Sequence, residues 1–398
     1  MALIWPRCVD ADYCQLFPPE GMFREATAWI EPGDGRARVV LTNPRQTASI
    51  VFGGTALTLS RDTSAAYANG IATSKLPRLA WLGLLGGREV GRRSGVYLLE
   101  DYVSDKRPVV MIHGLGSSPL VWARLSNAIW GDPELASHYQ VWHVVYQTNA
   151  PLLITRLRVQ NMLDRAWEIL DPEDDDVARD HMVLVGHSMG GVLSRLLVSD
   201  SGDVLWNAAF KVVPEAIKAS AHDLSLVRGI FQFESYPGIT RAIFLAAPHR
   251  GAPAAASWWG RLSQVLVGRR AQEMRSLQKV ASRQPHSVVD GVRQSYLQAR
   301  LNSISTLQTF QPVRAASESL LPIKGVRYHS IVAVKPGSHP PGDGAVPVSS
   351  AELEGATSTT YVQGGHGLPM NDDAVADVLR ILRESLHERP GSDPTGPR

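Results

Sequence analysis

A single serine stands between two glycines in the string GHSMG, residues 186–190, which has the spacing G-x-S-x-G. A serine hydroxyl is a weak nucleophile near neutral pH, and it becomes reactive when a base takes its proton and a third group orients that base. The string alone is a weak signal, because short strings of common residues also arise by chance. The other interpretation of Ser188 is a helix cap, whose usual partner three residues on is Glu or Gln. That position is Gly191, so the nucleophile interpretation is favoured.

The base and the acid can be sought further along the chain. In enzymes with a serine between a strand and a helix, the acid and then the histidine follow in chain order, each after a strand. Asp343 follows the apolar run YHSIVAV, residues 328–334, and His366 follows TTYVQG, residues 359–364. We therefore predict a triad of Ser188 as nucleophile, His366 as base and Asp343 as the orienting acid.

Rival candidates are weaker by position. Asp372 and Asp373 begin the last predicted helix, where acidic residues complement the helix dipole. His339 shares the loop of the predicted acid, and His329 opens a strand. We expect none of the four to take part in the triad.

A developing oxyanion needs two or more N–H donors about 3 Å away. The string MIHGLGSS, residues 111–118, ends a predicted strand and continues in flexible residues that can present such donors. We predict the backbone N–H groups of Leu115 and Met189 as the oxyanion hole. His113 is expected to be a structural hydrogen-bonding residue, and His187 a residue of the turn or of the pocket lining.

The elements that must position these residues alternate between strand and helix after Lys106. MVLV (182–185) has the apolar, β-branched composition of a strand buried on both faces, and VLSRLLV (192–198) has helical spacing. Small residues two before and two after Ser188 let this strand and helix pass closely. A second predicted helix is RVQNMLDRAWEIL, residues 158–170. The alternation predicts an α/β fold with a mostly parallel central sheet and helices on both faces.

The domain organisation follows from composition shifts along the chain. Residues 1–94 are Gly- and Pro-punctuated with short β-like runs, and they form a β-rich segment to which we assign no role. The catalytic domain is predicted over 95–388, with a disordered tail at 389–398. Long insertions at about 202–240 and 254–324 are expected to form a helical cap with Trp258 and Trp259 in its apolar roof; plain packing insertions are the alternative.

Composition excludes several classes of protein. The 398 residues are 44% hydrophobic and 20% charged, and 40 basic against 38 acidic residues give a net charge of +2, so no nucleic-acid partner is expected. Cys8 and Cys14, whose pairing is left open, lie too near the N-terminus for a disulfide-built fold. Without a run of about 18 apolar residues or a secretory signal, a cytoplasmic location is expected, and a periplasmic or secreted one if the N-terminus is trimmed.

The motifs VVMIHGLGSS, VLVGHSMGG, FLAAPHRGAP, GDGAVPVSSA and GGHGLP together resemble the α/β-hydrolase superfamily, and within it the bacterial lipase-like serine hydrolases. The resemblance runs from about residue 95 to about 386 and implies the α/β-hydrolase fold, with Asp343 and His366 at the family's acid and histidine. Several secreted lipases bind a structural calcium through an acidic residue close to that histidine. GGHGLPM has none nearby, so we expect no metal, and the chemistry requires no cofactor.

The function implied is hydrolysis of carboxylic esters of lipid or medium-chain acyl substrates through an acyl-enzyme, with contact to a lipid interface as an expected partner surface. A thioesterase or phospholipase would use the same machinery. A non-catalytic binding module would be indicated by the loss of a triad member, and a dehalogenase by Asp in place of Ser188. A dinucleotide-binding domain would be indicated by a G-x-G-x-x-G string, which HGLGSS does not complete.

Overall fold

The computed structural model describes most of the chain between residues 93 and 388 and parts of the segment before it. The described residues are 2–5, 12–18, 22–33, 35–44, 47–60, 62, 65–73, 93–252, 272–299, 301, 303–307 and 311–388. The expected tail, 389–398, and the expected roof residues Trp258 and Trp259 lie outside these ranges. Within the described ranges, no helix is both long and apolar enough to cross a bilayer.

The described parts of the N-terminal segment form short antiparallel strand pairs and one helix. The pairs are β1 (Ala2–Trp5) with β2 (Met22–Glu25), β3 (Thr27–Gly33) with β4 (Arg36–Thr42), and β5 (Ser49–Phe52) with β6 (Thr55–Thr58), followed by α1 (Ala65–Thr73). A 3-10 helix at Tyr13–Leu16 brings Leu16 and Phe17 into the main hydrophobic core. Cys14 is disulfide-bonded, and Cys8 lies outside the described residues.

A seven-stranded sheet forms the centre of the fold. Its strands in chain order are β7 (Gly95–Leu98), β8 (Arg107–Ile112), β9 (Tyr139–Val145), β10 (Met182–His187), β11 (Ile239–Leu245), β12 (Arg327–Val334) and β13 (Ser358–Gln363). Across the sheet the order is β13-β12-β11-β10-β8-β9-β7, and only the edge strand β7 is antiparallel to its neighbour. The prediction of a mostly parallel sheet is confirmed.

The helices that follow the sheet strands lie on both sides of it. They are α2 (Ala123–Gly131), α3 (Pro133–His138), α4 (Leu152–Leu170), α5 (Met189–Leu197), α6 (Val204–Ala209), α7 (Ala221–Phe231), α8 (Gln272–Arg283), α9 (Asp290–Leu297), α10 (Ser303–Thr306), α11 (Pro312–Ala316), α12 (Val348–Ala351) and α13 (Asp372–His387). The helix predicted to start at Arg158 begins at Leu152. Pro151, which precedes it, is the N-cap residue of this helix.

Two hydrophobic layers explain the apolar runs in the strands. On β10, Leu184 packs with α4 and α5 on one face, whereas its neighbours Val183 and Val185 pack with α2 and α13 on the other. Successive side chains of a strand point to opposite faces, so a strand covered by helices on both sides is apolar throughout. This is the reason MVLV lacks the alternation of a half-exposed strand.

The strand order fixes where a ligand crevice lies. The chain passes from β8 to β9 on one side and later returns to place β10 on the other side of β8. In an open parallel sheet the crevice forms beyond the carboxyl ends of the strands at such a reversal. The motifs after β8 and β10 therefore meet at this crevice.

The described parts of the two insertions are largely helical and pack on one another. Asp223 of α7 accepts hydrogen bonds from Ser276 Oγ at 2.7 Å and from Lys279 Nζ at 3.1 Å, both on α8. In the second insertion, the Thr306 hydroxyl of α10 accepts from the Leu152 N–H at 3.1 Å. The inserted helices thus reach the start of α4, next to the crevice, and a cap over the crevice stays a prediction.

Candidate active site

Ser188 occupies a strained turn between β10 and α5. Its backbone has φ 54° and ψ −124°, a left-handed conformation that costs a non-glycine residue on the order of 1–3 kcal/mol. The turn is held by two backbone hydrogen bonds, from the Ser188 N–H to the Leu245 carbonyl and from the Gly191 N–H to the Ser188 carbonyl, each 2.9 Å. These contacts with β11 and α5 keep the hydroxyl at the carboxyl end of β10.

The glycines around Ser188 allow β10, α5 and β8 to approach closely. A Cβ added to Gly186 would lie 2.5 Å from the Gly190 carbonyl oxygen, and one added to Gly190 would clash with the Ile112 carbonyl oxygen of β8. Real Cβ atoms do not approach backbone atoms this closely. A side chain at either position would therefore push the turn at Ser188 away from the sheet.

The structure brings Ser188, His366 and Asp343 together in one hydrogen-bonded chain. Ser188 Oγ lies 2.9 Å from His366 Nε2, and His366 Nδ1 lies 2.6 Å from Asp343 Oδ2. A carboxylate only accepts, so His366 Nδ1 carries the proton and Nε2 is free to accept from the serine hydroxyl. This is the arrangement in which a neutral histidine can take a proton from a nucleophile.

Asp343 is held as an anion beneath the histidine. Its side chain is 1% exposed, and Oδ1 accepts from the N–H groups of Ala345 and Val346, each at 2.7 Å. Burial opposes ionisation, but the hydrogen bond from His366 and the two backbone N–H groups outweigh it and hold the pKa of Asp343 below its usual value. Both carboxylate oxygens are thus engaged, one by the loop and one by the histidine.

Met189 and Leu115, whose backbone N–H groups are predicted to form the oxyanion hole, lie in segments that adjoin Ser188. Met189 is the first residue of α5, so its N–H has no acceptor within the helix. Gly114 approaches so closely that a Cβ there would lie 2.9 Å from Ser188 Cβ. The next residue is Leu115, whose N–H finds no acceptor among the described residues. The oxyanion role of both residues stays a prediction.

His113 fixes the backbone of the loop that carries Leu115. Its Nδ1–H donates to the Gly114 carbonyl at 3.0 Å, and its ring stacks on Tyr146 with centroids 4.5 Å apart. The Tyr146 hydroxyl donates to the His113 carbonyl. Burial lowers the pKa of His113 to about 4, so the ring is neutral at neutral pH. These contacts fit the structural role expected for His113.

His187 makes a contact that the sequence did not reveal. Its Nε2–H donates to the backbone carbonyl of His366 at 2.7 Å, and the two rings lie 5.0 Å apart. Burial, with the nearby His366, lowers the pKa of His187 to about 3, so it stays a neutral donor. The side chain before the proposed nucleophile thus anchors the loop of the proposed base, and no local pattern indicates a contact between residues this far apart in the chain.

The rival candidates lie elsewhere. His329 is buried in β12 between Arg241 and the Ser358 hydroxyl, and His339 is exposed in its loop. Asp372 and Asp373 occupy the first turn of α13, where Asp372 pairs with an arginine of α2. None of the four is hydrogen-bonded to Ser188 or His366 among the described contacts.

One group of acidic side chains has the spacing of a metal site, within the described ranges. Oxygens of Asp171, Asp175 and Asp176 lie within 4.8 Å of one another. Arg179 pairs with Asp171 at 3.6 Å, and the Tyr102 hydroxyl donates to Asp176. The group follows α4 and precedes the amino end of β10, whereas Ser188 follows the carboxyl end of that strand. Its partners are already protein groups, so it offers no second centre for the chemistry at Ser188.

The mostly parallel sheet, the strained turn that carries Ser188 and the helices on both faces are those of an α/β hydrolase. Comparison with known families gives the same class. The model of the alpha/beta hydrolase family matches residues 109–381, so the chain belongs to this family. A search of curated proteins finds no match.

The solved structures to which this chain is similar have low sequence identity to it. A Bacillus licheniformis lipase, BlEst2 in its mature form, is 16% identical, with 71% of this chain and 94% of that chain covered and a TM-score of 0.37. An Exiguobacterium antarcticum esterase is 14% identical, with coverages of 72% and 95% and a TM-score of 0.35. Lipase 1 from Pelosinus fermentans is 11% identical, with coverages of 72% and 100% and a TM-score of 0.41.

Proposed function

We propose that the protein is a carboxylic ester hydrolase that works through an acyl-enzyme on Ser188. The observation that carries this proposal is the continuous hydrogen-bonded chain from Ser188 Oγ through His366 to the buried Asp343. It supplies a nucleophile, a base of the correct tautomer and a fixed negative charge for the imidazolium that forms.

In the first half-reaction Ser188 Oγ attacks the carbonyl carbon of the ester as His366 Nε2 takes the hydroxyl proton. The carbonyl oxygen becomes an oxyanion that accepts from the N–H groups of Leu115 and Met189. Each such donor contributes about 3 kcal/mol to transition-state stabilisation. The intermediate then collapses, the bond to the alcohol oxygen breaks, and His366 returns its proton to the departing alcohol.

In the second half-reaction water replaces the alcohol. His366 takes a proton from the water, whose oxygen attacks the acyl carbon, and the same N–H groups stabilise the second oxyanion. The bond between the acyl carbon and Ser188 Oγ then breaks, His366 returns its proton to Oγ, and the carboxylic acid is released. Asp343 stays ionised throughout because its hydrogen bonds hold its pKa low.

We extend the proposal to lipid or medium-chain acyl esters because the motifs resemble those of lipase-like hydrolases and because the inserted helices reach the start of α4 beside the crevice. Thr148, which follows β9, accepts from the Gly116 N–H at 3.2 Å and so joins the segment before α4 to the loop that carries Leu115. Between α4 and these helices lies a small cavity of about 30 Å³, whose lining includes Leu153, Phe231 and Tyr296. A space of this size holds about one water molecule, so an acyl chain would bind in the crevice and not in this cavity.

A series of p-nitrophenyl esters and matching thioesters tests this proposal. The wild-type protein should hydrolyse the oxygen esters, with a rate that rises from acetyl to octanoyl. The Ser188→Ala variant is the matched blank, and it should fold with an unchanged circular dichroism spectrum because the hydroxyl is at the turn surface. A preference for acyl chains shorter than about six carbons would contradict the lipid assignment, and turnover by Ser188→Ala would contradict the proposed nucleophile.

A further inference from the structure

A buried arginine on the helix after Ser188 has no ion-pair partner within the part of the chain that the structure describes. Arg195 of α5 is fully buried, and within the described residues no carboxylate lies at ion-pair distance from it. Its Nη1 donates to the carbonyls of Ser317 and Leu320, at 2.8 and 3.0 Å. Its Nε and Nη2 are buried without an acceptor in the described part of the chain. Burial lowers the pKa of Arg195 to about 10, which leaves it charged at neutral pH.

Arg195 lines a cavity of about 250 Å³ together with His249 and Arg250. His249 is 2% exposed, and neither of its ring nitrogens has a partner among the described residues. Burial, with the charges of Arg195 and Arg250, lowers the pKa of His249 well below its ordinary value, so the ring is neutral and offers one donor and one acceptor. The cavity is therefore rich in donors that the protein does not satisfy.

We infer that this cavity is a binding site for a small oxyanion, a phosphate or a carboxylate group, held by Arg195. The Nε and Nη2 groups form the side-on edge of the guanidinium, whose two parallel N–H bonds match two oxygens of a carboxylate or phosphate. Nη1 is used by two carbonyls, so that edge is the part of the side chain left for a ligand. An anion would supply acceptors for these two N–H groups and a negative charge at ion-pair distance from the guanidinium.

Two carboxylates in the lining, Glu318 and Glu354, act against anion binding. Glu318 is already paired with Arg314 at 2.5 Å, and Arg250 adds a second positive charge to the lining. The lining therefore holds two arginines and two glutamates, and Arg314, which lies outside it, offsets the charge of Glu318. Removal of the Glu318 carboxylate should therefore increase the anion affinity.

None of the residues that line the cavity belongs to the proposed triad, so an anion there does not depend on the triad's chemistry. Arg195 is on the helix that begins at Met189, and the His249 N–H donates to the Ser350 carbonyl, at 2.9 Å, in the segment after Asp343. An anion here would contact α5 and the segment bonded to His249, which adjoin the triad residues, rather than the triad itself. Binding can therefore be measured in a chain without a working nucleophile.

Isothermal titration of the full-length Ser188→Ala chain tests the inference, with inorganic phosphate and sodium acetate in separate arms at constant ionic strength. We expect saturable binding in at least one arm, which identifies the preferred oxyanion. Arg195→Gln should weaken it about 10- to 100-fold, the effect of losing charge-assisted hydrogen bonds. Arg195→Lys should weaken it too, because lysine lacks the side-on edge. Glu318→Gln, which leaves Arg195 intact, should tighten it.

Heats that do not saturate, or equal binding by the Ser188→Ala chain with and without Arg195→Lys or Glu318→Gln, would overturn the inference. Those results would leave only a general salt effect. Thermal unfolding of each variant shows whether it is folded before titration. Because the titration uses the Ser188→Ala background, its outcome does not depend on whether the protein is an esterase.

Discussion

Replacement of Asp343 by asparagine should nearly abolish ester hydrolysis while leaving the fold intact. Oδ1 of Asp343 accepts two backbone N–H groups, so the amide oxygen of asparagine should keep that position and place its NH₂ toward His366. The reverse orientation would lose both acceptor contacts in a buried loop, at a cost of about 1–3 kcal/mol each. The NH₂ group can only donate, so it forces His366 Nδ1 to accept.

The consequence for the reaction is a histidine in the wrong tautomer. With Nδ1 as acceptor, the proton lies on Nε2, which then cannot take the Ser188 proton over the 2.9 Å that separates them. The expected loss in kcat is about 10⁴-fold, as for the same exchange in other serine hydrolase triads, which corresponds to about 5.4 kcal/mol of barrier. The KM should change little, because no substrate contact is removed.

The assay is steady-state hydrolysis of p-nitrophenyl octanoate by wild type, Asp343→Asn and Asp372→Asn, with thermal unfolding of each. Asp372 is the matched control, an acid near His366 in sequence that lies in the first turn of α13. Activity of Asp343→Asn within tenfold of wild type, or a large loss in Asp372→Asn, would refute the tautomer argument.

Three further results are expected. His187→Phe should lower kcat at constant KM, and His187→Gln should restore much of it, because glutamine can still donate to the His366 carbonyl; equal loss in both variants would contradict this. Gly190→Ala should sharply lower the urea concentration at which half of the protein is unfolded, because its Cβ clashes with the β8 backbone. An unchanged midpoint of urea unfolding would argue against the close packing of α5 on β8. Since the pKa of Asp343 is depressed in the folded state, its stabilisation is present above the unfolded pKa of about 3.9. The unfolding free energy of wild type relative to Asp343→Asn should therefore fall from pH 6 to pH 3, and a constant difference would contradict it.

The contact with a lipid interface that we expect from the sequence is tested by rate measurements across the solubility limit of a medium-chain triglyceride. A cap that opens at an interface gives a rate that rises once emulsion forms. A rate that saturates below the limit indicates a fixed pocket.

The parts of the fold that depend on local sequence patterns could be predicted from the sequence. The apolar runs after Lys106 predicted the parallel strands, because a strand covered by helices on both faces is apolar throughout. GHSMG predicted the tight turn at Ser188, because only small residues allow β10 and α5 to approach so closely. The start of α4 was misplaced at Arg158, since the polar Thr155 and Arg156 interrupt the apolar spacing. Both are buried by neighbouring elements, and Arg156 packs on the ring of Phe233 at 3.7 Å.

Contacts between distant segments could not be predicted. The hydrogen bond from His187 to the His366 backbone joins β10 to the loop after β13, strands separated in the sheet by β11 and β12. The cavity at Arg195 likewise depends on how α5 meets the segments at His249 and Glu318. Neither follows from residue spacing, because each requires the packed tertiary structure.

The most direct test of the central claim is covalent labelling with a fluorophosphonate, followed by intact-mass measurement and peptide mapping. The reagent phosphonylates an activated serine and leaves unactivated hydroxyls unmodified. We predict one adduct per chain, on the peptide that contains Ser188, formed in proportion to the loss of esterase activity and absent from Ser188→Ala and His366→Ala. A stoichiometric adduct on another residue, or full esterase activity in a chain labelled at Ser188, would contradict the proposed nucleophile.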